Sequence, residues 1–248
     1  MVIDESGRTD FMNDKPTDTE FIFMRFLAYA ALCGLFILAC AASGICQSGA
    51  SSEDSLSKQE IIAKLESRYG GADIQAEFTQ ESTLAAMDIT DTATGRVWFK
   101  HPGMMRWEYE TPDQHAIVTD GETLWIHRPV DNQVIVGDAL TYFGNGKGAS
   151  FLSNIELVKE EFSVEKAADP KPGYISLKLI PRQKELEISK IFLNIDPETF
   201  IVEGVTTKNA YGDDTRINFK NIRFKEEISA EKFQFEIPKG ADVVTMEQ

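Results

Sequence analysis

Between Arg96 and Pro129 the chain reads RVWFKHPGMMRWEYETPDQHAIVTDGETLWIHRP, and its side chains change character at every second position. Met105, Trp107 and Tyr109 share one face of an extended segment, while Arg106, Glu108 and Glu110 share the other. Pro102-Gly103 marks one turn, and Asp120-Gly121 joins His115–Val118 to Thr123–His127 as a hairpin. Strands joined by such short turns must run antiparallel. Yet Val97-Trp98-Phe99 and Leu124-Trp125-Ile126 are apolar at consecutive positions, so both faces of these strands need cover, from helices or from a ligand.

The rest of the chain extends the pattern. Leu56 to Tyr69 places Leu56, Ile61, Ile62, Leu65 and Tyr69 on one stripe. Ser57 and Glu60 form a capping box and Gly70-Gly71 stops the run, which together predict an amphipathic helix. Ile74, Ala76 and Phe78 at period two read as a strand, as does Asn132–Val136, and strand patterns return over 174–180, 186–196, 200–208 and 215–224. Ile217 and Phe219 lie on one parity and Ile222 and Phe224 on the other, so a bulge or bend is expected at Asn221. Asp138 to Phe162 loses the alternation and suggests short helices broken at GNGKG, Gly144–Gly148. A last edge segment, Phe233 to Val243, is halted at Pro238. The sum is roughly ten strands with an N-terminal helix and a central helical insertion. That is an α+β fold, mainly β, and without strand–helix alternation it is not a doubly wound sheet.

With 248 residues and 42% apolar content the chain can fill one substantial core. Its net charge is −15; residues 1–46 hold three basic and six acidic side chains, a net −3, so −12 lies beyond them. A surface this acidic repels phosphate backbones, which argues against nucleic acid as a partner and for a soluble monomer. Phe26 to Ala42 is uncharged, follows Met24-Arg25 and leads into small residues, the layout of a secretory signal over 24–46. A transmembrane anchor is the competing reading, at the bottom of the spanning range and without a basic flank after it. Residues 1–23, acidic and polar, suit a signal poorly and read as a non-native or disordered extension; residues 47–55 read as a linker and 56–248 as a single domain. Cys33, Cys40 and Cys46 all lie before residue 47, so the domain must hold together without disulfides. Ile37-Leu38-Ala39-Cys40 loosely resembles a lipobox, but Ala39-Cys40-Ala41 serves equally as an ordinary cleavage site, and ordinary cleavage is favoured.

A search for catalytic chemistry finds little. His101, His115 and His127 sit on different strand ends, at spacings that suit neither a triad nor zinc. Gly144–Ser150 lacks the first glycine of a phosphate loop, since Thr141 stands in its place. Glu108 and Glu110 are on one face of an edge-like strand, where carboxylates ordinarily meet water. No catalytic residue, metal site or cofactor is therefore expected. What remains is an apolar excess, to be absorbed either by a plain sandwich core or by a partly enclosed apolar cavity.

The run from Gly95 to Pro129, with FTQ at Phe78–Gln80, LIPR at Leu179–Arg182, YGDDTRINFKNI at Tyr211–Ile222 and FQFEIPKGADV at the end, resembles the LolA family of periplasmic outer-membrane lipoprotein carriers. The resemblance covers about residues 56–244. It implies a curved antiparallel sheet forming an incomplete β-barrel, its apolar concave face closed by a helical lid. It also implies a function without catalysis: such carriers receive acylated lipoproteins from an inner-membrane ABC exporter and pass them to an outer-membrane acceptor. Three acyl chains of about fifteen methylenes would cost about 36 kcal/mol in water at ~0.8 kcal/mol per methylene, so a carrier must cover them. The lining candidates are Val97, Phe99, Met104, Met105, Trp107, Leu124 and Ile126 from the strands, and Ile61, Ile62, Leu65, Phe151 and Leu152 from the lid, although parity alone does not say which sheet face is concave.

One position departs from the family. The arginine that fastens the lid in well-known members precedes the motif proline, and here that residue is His101, with at most two donors against five. A weaker latch, substitution by Arg106, or closure by packing alone are the alternatives, and a histidine there would make opening pH-sensitive. Two other functions fit the same features. One is a periplasmic regulator that senses lipids or lipoproteins, and the other is a membrane-fixed lipoprotein acceptor acylated at Cys40.

Overall fold

The computed structural model describes residues 56–143, 149–183, 187–225 and 227–246. The signal, linker and extension readings, all three cysteines and the GNGKG break lie outside these residues. Helix α1 (Lys58–Tyr69) is followed by β1 (Asp73–Leu84), β2 (Ile89–Lys100), β3 (Met104–Thr111), β4 (His115–Thr119), β5 (Thr123–Arg128) and β6 (Gln133–Asp138). Helices α2 (Ala139–Phe143) and α3 (Leu157–Glu161) come next, and β7 (Phe162–Lys166), β8 (Ile175–Pro181), β9 (Lys190–Ile195), β10 (Val202–Lys208), β11 (Asp214–Lys225) and β12 (Asp242–Thr245) complete the order. The capping box forms as expected: Glu60 N–H donates to Ser57 Oγ, and Ser57 N–H to Glu60 Oε2 at 2.8 Å. The described residues hold twelve strands rather than about ten. The sequence reading missed β7 and the long outer half of β2, where Thr90 to Thr94 are small or polar, and placed the last strand before Pro238 instead of after it.

All twelve strands form one sheet in the order β12-β6-β5-β4-β3-β2-β1-β11-β10-β9-β8-β7, with free edges at β12 and β7. The sheet is not closed into a barrel. At ~4.8 Å per strand, β4 and β9 would stand about 29 Å apart in a flat sheet. Nevertheless Ile117 of β4 and Ile188, just before β9, line one cavity. The sheet therefore curls, as right-handed twist favours and as its apolar face demands. Asn221 has φ 52, and the β1–β11 register shifts opposite it, which is the bend expected there. The resulting core is one continuous cluster from Leu124 of β5 through Phe78, Phe99 and Phe219 to Leu177 of β8, with Ile61, Leu65, Phe151 and Ile155 of the helical segments on top. Gly95 is required within it: a Cβ there would meet the Phe78 ring at 2.9 Å and the Glu108 carbonyl oxygen at 2.1 Å.

The second, outer cover of the doubly apolar strands is the C-terminal segment, which crosses the outer face of the sheet and includes a short 3-10 helix, Ala230–Phe233. Phe233 and Ile228 pack on Trp98, with Met104 beside them, and Phe235 lies against Trp125 with ring centroids 6.3 Å apart. Polar ties fix this strap. The buried Asp73 carboxylate accepts from the Ile228 N–H and, at 2.9 Å, from Lys100 Nζ. Lys232 Nζ stands 3.8 Å from the Trp98 ring centre and 3.2 Å from Glu108 Oε1, while Arg106 donates to Glu108 and to the Lys232 carbonyl. The strap then enters β12 and pairs in parallel with β6, covering an edge that would otherwise be open.

Two outcomes follow. Phe233→Ala should destabilise the fold by about 3 kcal/mol or more in a denaturant titration, whereas Ile237→Ala, at a half-exposed position, should shift the midpoint little. Acidification should also loosen the strap. Burial alone would raise the Glu108 carboxyl, but hydrogen bonds and charge from Arg106 and Lys232 overcome this and hold it below its ordinary value. Its contribution is then complete above the unfolded carboxylate pKa and disappears as pH falls through the lower folded value, so Trp98 fluorescence should change below about pH 4. In Glu108→Gln that step should be absent.

Candidate functional site

The face of the curled sheet that carries the core is the concave one, which settles the parity question. Val97 and Phe99 of β2, Met105 and Trp107 of β3, and Leu124 and Ile126 of β5 are all buried on it. Phe78 makes edge-to-face contacts with Trp107 and Tyr109, each at 4.9 Å between centroids, and Phe99 meets Trp107 at 5.6 Å. Ile61, Ile62 and Leu65 of α1, together with Phe151 and Leu152 of a 3-10 turn over 149–152, are buried in the same cluster from the opposite side. Two residues lie elsewhere. Met104 alternates away from Met105 and packs beneath the strap with Trp98. Arg106 shares that outer face and serves the strap through Glu108 and Lys232, so it does not reach the helices.

The helices are held by few polar contacts. His101 is exposed in the β2–β3 turn and makes no hydrogen bond among the described residues. The turn is tied to the helical segment by its backbone instead, with Gly103 N–H donating to the Ser153 carbonyl at 3.3 Å. At the far side Arg182, which sequence reasoning quoted within LIPR but gave no role, donates from Nε to the Glu160 carbonyl at 3.1 Å and from Nη2 to the Lys159 carbonyl at 3.3 Å. A guanidinium therefore satisfies the open carbonyl end of α3, a position no periodicity could have disclosed. Lys159 Nζ bonds Glu66 of α1 at 2.7 Å, and the Tyr69 hydroxyl accepts from Val202 N–H at 2.7 Å.

Several gaps interrupt the packing, among them one of about 410 Å³ beside Ile117 and Ile126. One cavity of about 220 Å³ lies on the concave side between Trp107, Ile117, Phe143 and Ile217, with Gln80, Thr207 and Thr215 at its polar rim. Tyr109 also lines it and donates to Gln80 Oε1 at 2.9 Å, and its ring stacks on His115 with centroids 4.0 Å apart. Burial pushes the Tyr109 phenol far above its ordinary pKa, so it stays protonated and remains a donor. A second cleft of about 400 Å³ opens between the hairpin turns at Gly103 and Gly121 and the helical residues Leu140, Phe143 and Leu157. Beside it Asn154 Oδ1 is buried without a hydrogen-bond partner, and Ala149, fully buried, has φ 58. Both features raise the free energy of the closed helical segment, an orphaned acceptor by about 1–3 kcal/mol and a left-handed non-glycine by about 1–2 kcal/mol.

Residues 72–236 match the family model described as outer membrane lipoprotein carrier protein LolA. An outer-membrane lipoprotein carrier protein of Hahella chejuensis is 26% identical over 169 residues, covering 68% of this chain and 80% of that one. Its namesake in Chromobacterium violaceum is 29% identical over 186 residues, covering 74% and 87%. Among solved structures, a LolA superfamily protein from Nitrosomonas europaea aligns with a TM-score of 0.44 at 13% identity, over 73% of this chain and 99% of that chain.

Because Ala149 occupies a backbone conformation natural to glycine, Ala149→Gly should raise the unfolding free energy measured by urea titration by about 0.5–1 kcal/mol after glycine's own entropy cost. A drop in stability would mean that the buried methyl group outweighs the relieved backbone.

Proposed function

Because the chain belongs to the LolA family, we propose that it is a periplasmic lipoprotein carrier. It takes the acyl chains of its cargo between the concave sheet face and the helical segment, receives them from an inner-membrane ABC exporter and yields them to an outer-membrane acceptor. No reaction and no cofactor is part of this role. The observation that carries it is the seam itself, where Ile61, Leu65, Phe151 and Leu152 meet Val97, Phe99, Met105, Trp107, Leu124 and Ile126 as apolar surface on apolar surface.

Such a seam can exchange partners at little net cost. When the helical segment lifts, its underside and the sheet lose contact with each other, and alkyl chains laid between them restore contact to both. The gaps, of about 220, 400 and 410 Å³, are each no larger than the low end of ordinary small-ligand pockets, about 300–1,000 Å³, so a triacylated cargo needs that lift. Opening breaks the single Gly103–Ser153 backbone bond at the turn and relieves the faults at Asn154 and Ala149. Met105 and the aromatic lining adapt to chains of varying shape. At the turn, where His101 makes no hydrogen bond among the described residues, only a backbone bond has to give, and the Arg182 bonds to the α3 carbonyls can hold the far end as a hinge.

Trp107 gives a direct test, because it is the tryptophan on the concave face while Trp98 and Trp125 face outward. Palmitate brominated along its chain should quench wild-type fluorescence saturably, and in Trp107→Phe most of that quenching should disappear with binding retained. Equal quenching in both proteins, or no saturable binding, would remove the carrier reading.

A further inference from the structure

The first two strands run well past the cavity. Directly opposed residues on β1 and β2 point to the same side of the sheet, and the pairs Phe78–Gly95, Gln80–Ala93, Ser82–Asp91 and Leu84–Ile89 follow one another outward. Phe78 is in the core and Gln80 is on the cavity rim. By the two-residue period, Leu84 and Ile89 therefore stand on the concave side of the same wall, about 13 Å beyond Gln80. Leu84 is 42% exposed, Ile89 45% and Met87, in the turn between them, 65%. Tyr211, 69% exposed, belongs to the adjoining β10–β11 turn, which is fastened to the hairpin by Ala85 N–H donating to Asp213 Oδ1. Exposed apolar residues grouped in this way mark a contact surface.

Resting on the carrier reading, we propose that Leu84, Met87 and Ile89 form a track for the cargo's alkyl chains, touched on the way into and out of the cavity rather than in the seated complex. The register supplies the occupant, since this surface continues the wall whose inner end is the cavity. The polar Ser82–Asp91 pair between the two apolar levels makes the track a place of passage, because a chain resting across it gains less than one lying in the cavity. The acidic neighbours Asp88, Asp91 and Asp213 oppose a bound anionic membrane surface at the same spot.

The experiment follows uptake of pyrene-labelled palmitate by stopped flow and its release to excess acceptor vesicles of phosphatidylcholine, for the wild type and for Leu84→Ser/Ile89→Ser. The association and dissociation rates should fall together by about tenfold, the factor of losing roughly one leucine-sized apolar contact, with Kd unchanged. Thr83 and Thr90 bond each other at 3.0 Å and alternate to the other face of the same hairpin, so Thr83→Ala/Thr90→Ala should leave both rates unaltered. Unchanged rates in the Leu84/Ile89 variant would overturn the track while the carrier function stood, as would a weaker Kd at an unchanged association rate. A wild-type dimer made monomeric by the same substitutions would also overturn it. Absence of saturable probe binding by the wild type would instead take away the carrier reading on which the track rests.

Discussion

A twelve-stranded sheet that is greasy along one side has far more apolar area than short helices can cover, and everything else in this molecule answers that imbalance. A sandwich would answer it with a second sheet. Here the sheet curls until Ile117 of β4 and Ile188 beside β9 come to one cavity, and α1, α2, the 149–152 turn and α3 close the remaining gap. The interior is thus made by two surfaces that are complementary in polarity but not bonded into one ladder. Hydrogen bonds hold the sheet together, while the helices rest on it by apolar contact and a handful of hydrogen bonds at Gly103, Arg182 and Tyr69. The difference in attachment is what the proposed lifting of the helices from a fixed sheet rests on.

The polarity of the concave side has a direction. Phe78, Phe99, Trp107 and Phe219 make its middle aromatic and dry. Toward the β1–β2 hairpin, Gln80, Tyr109, Thr207 and Thr215 bring hydroxyl and amide groups to the cavity's rim. Tyr109 bridges the two zones, its ring against Phe78 and His115 and its hydroxyl on Gln80.

Much of this was legible in the chain itself, because alternation is a local property. Met105, Trp107 and Tyr109 announced a one-sided strand, Ser57 and Glu60 announced the helix start, and the parity change around Asn221 announced a bend. The resemblance carried by Gly95–Pro129 supplied the curl and the lid. What escaped depended on distant partners. Trp98 and Trp125 looked like sites awaiting a helix or a ligand, because nothing near them in sequence shows that Phe233 and Phe235 return to cover them. Met104 and Arg106 followed the strap for the same reason. Arg182 could not be assigned, since a guanidinium at a strand end acquires meaning only beside the carbonyls of α3. Residues 90–94 were passed over because their small or polar side chains carry little strand signal, although they belong to the long outer half of β2.

The strap brings residues 228–245 back across strands more than a hundred residues earlier in the chain. Asp73, Trp98 and Lys100 acquire their covering only when Ile228 and Phe233 arrive, and the β6 margin stays open until Val243 and Val244 dock. Without residues 228–245 in place Trp98 lacks its apolar cover and the β6 edge lacks its parallel partner, so the outer face is completed by a segment remote in sequence from the strands it covers.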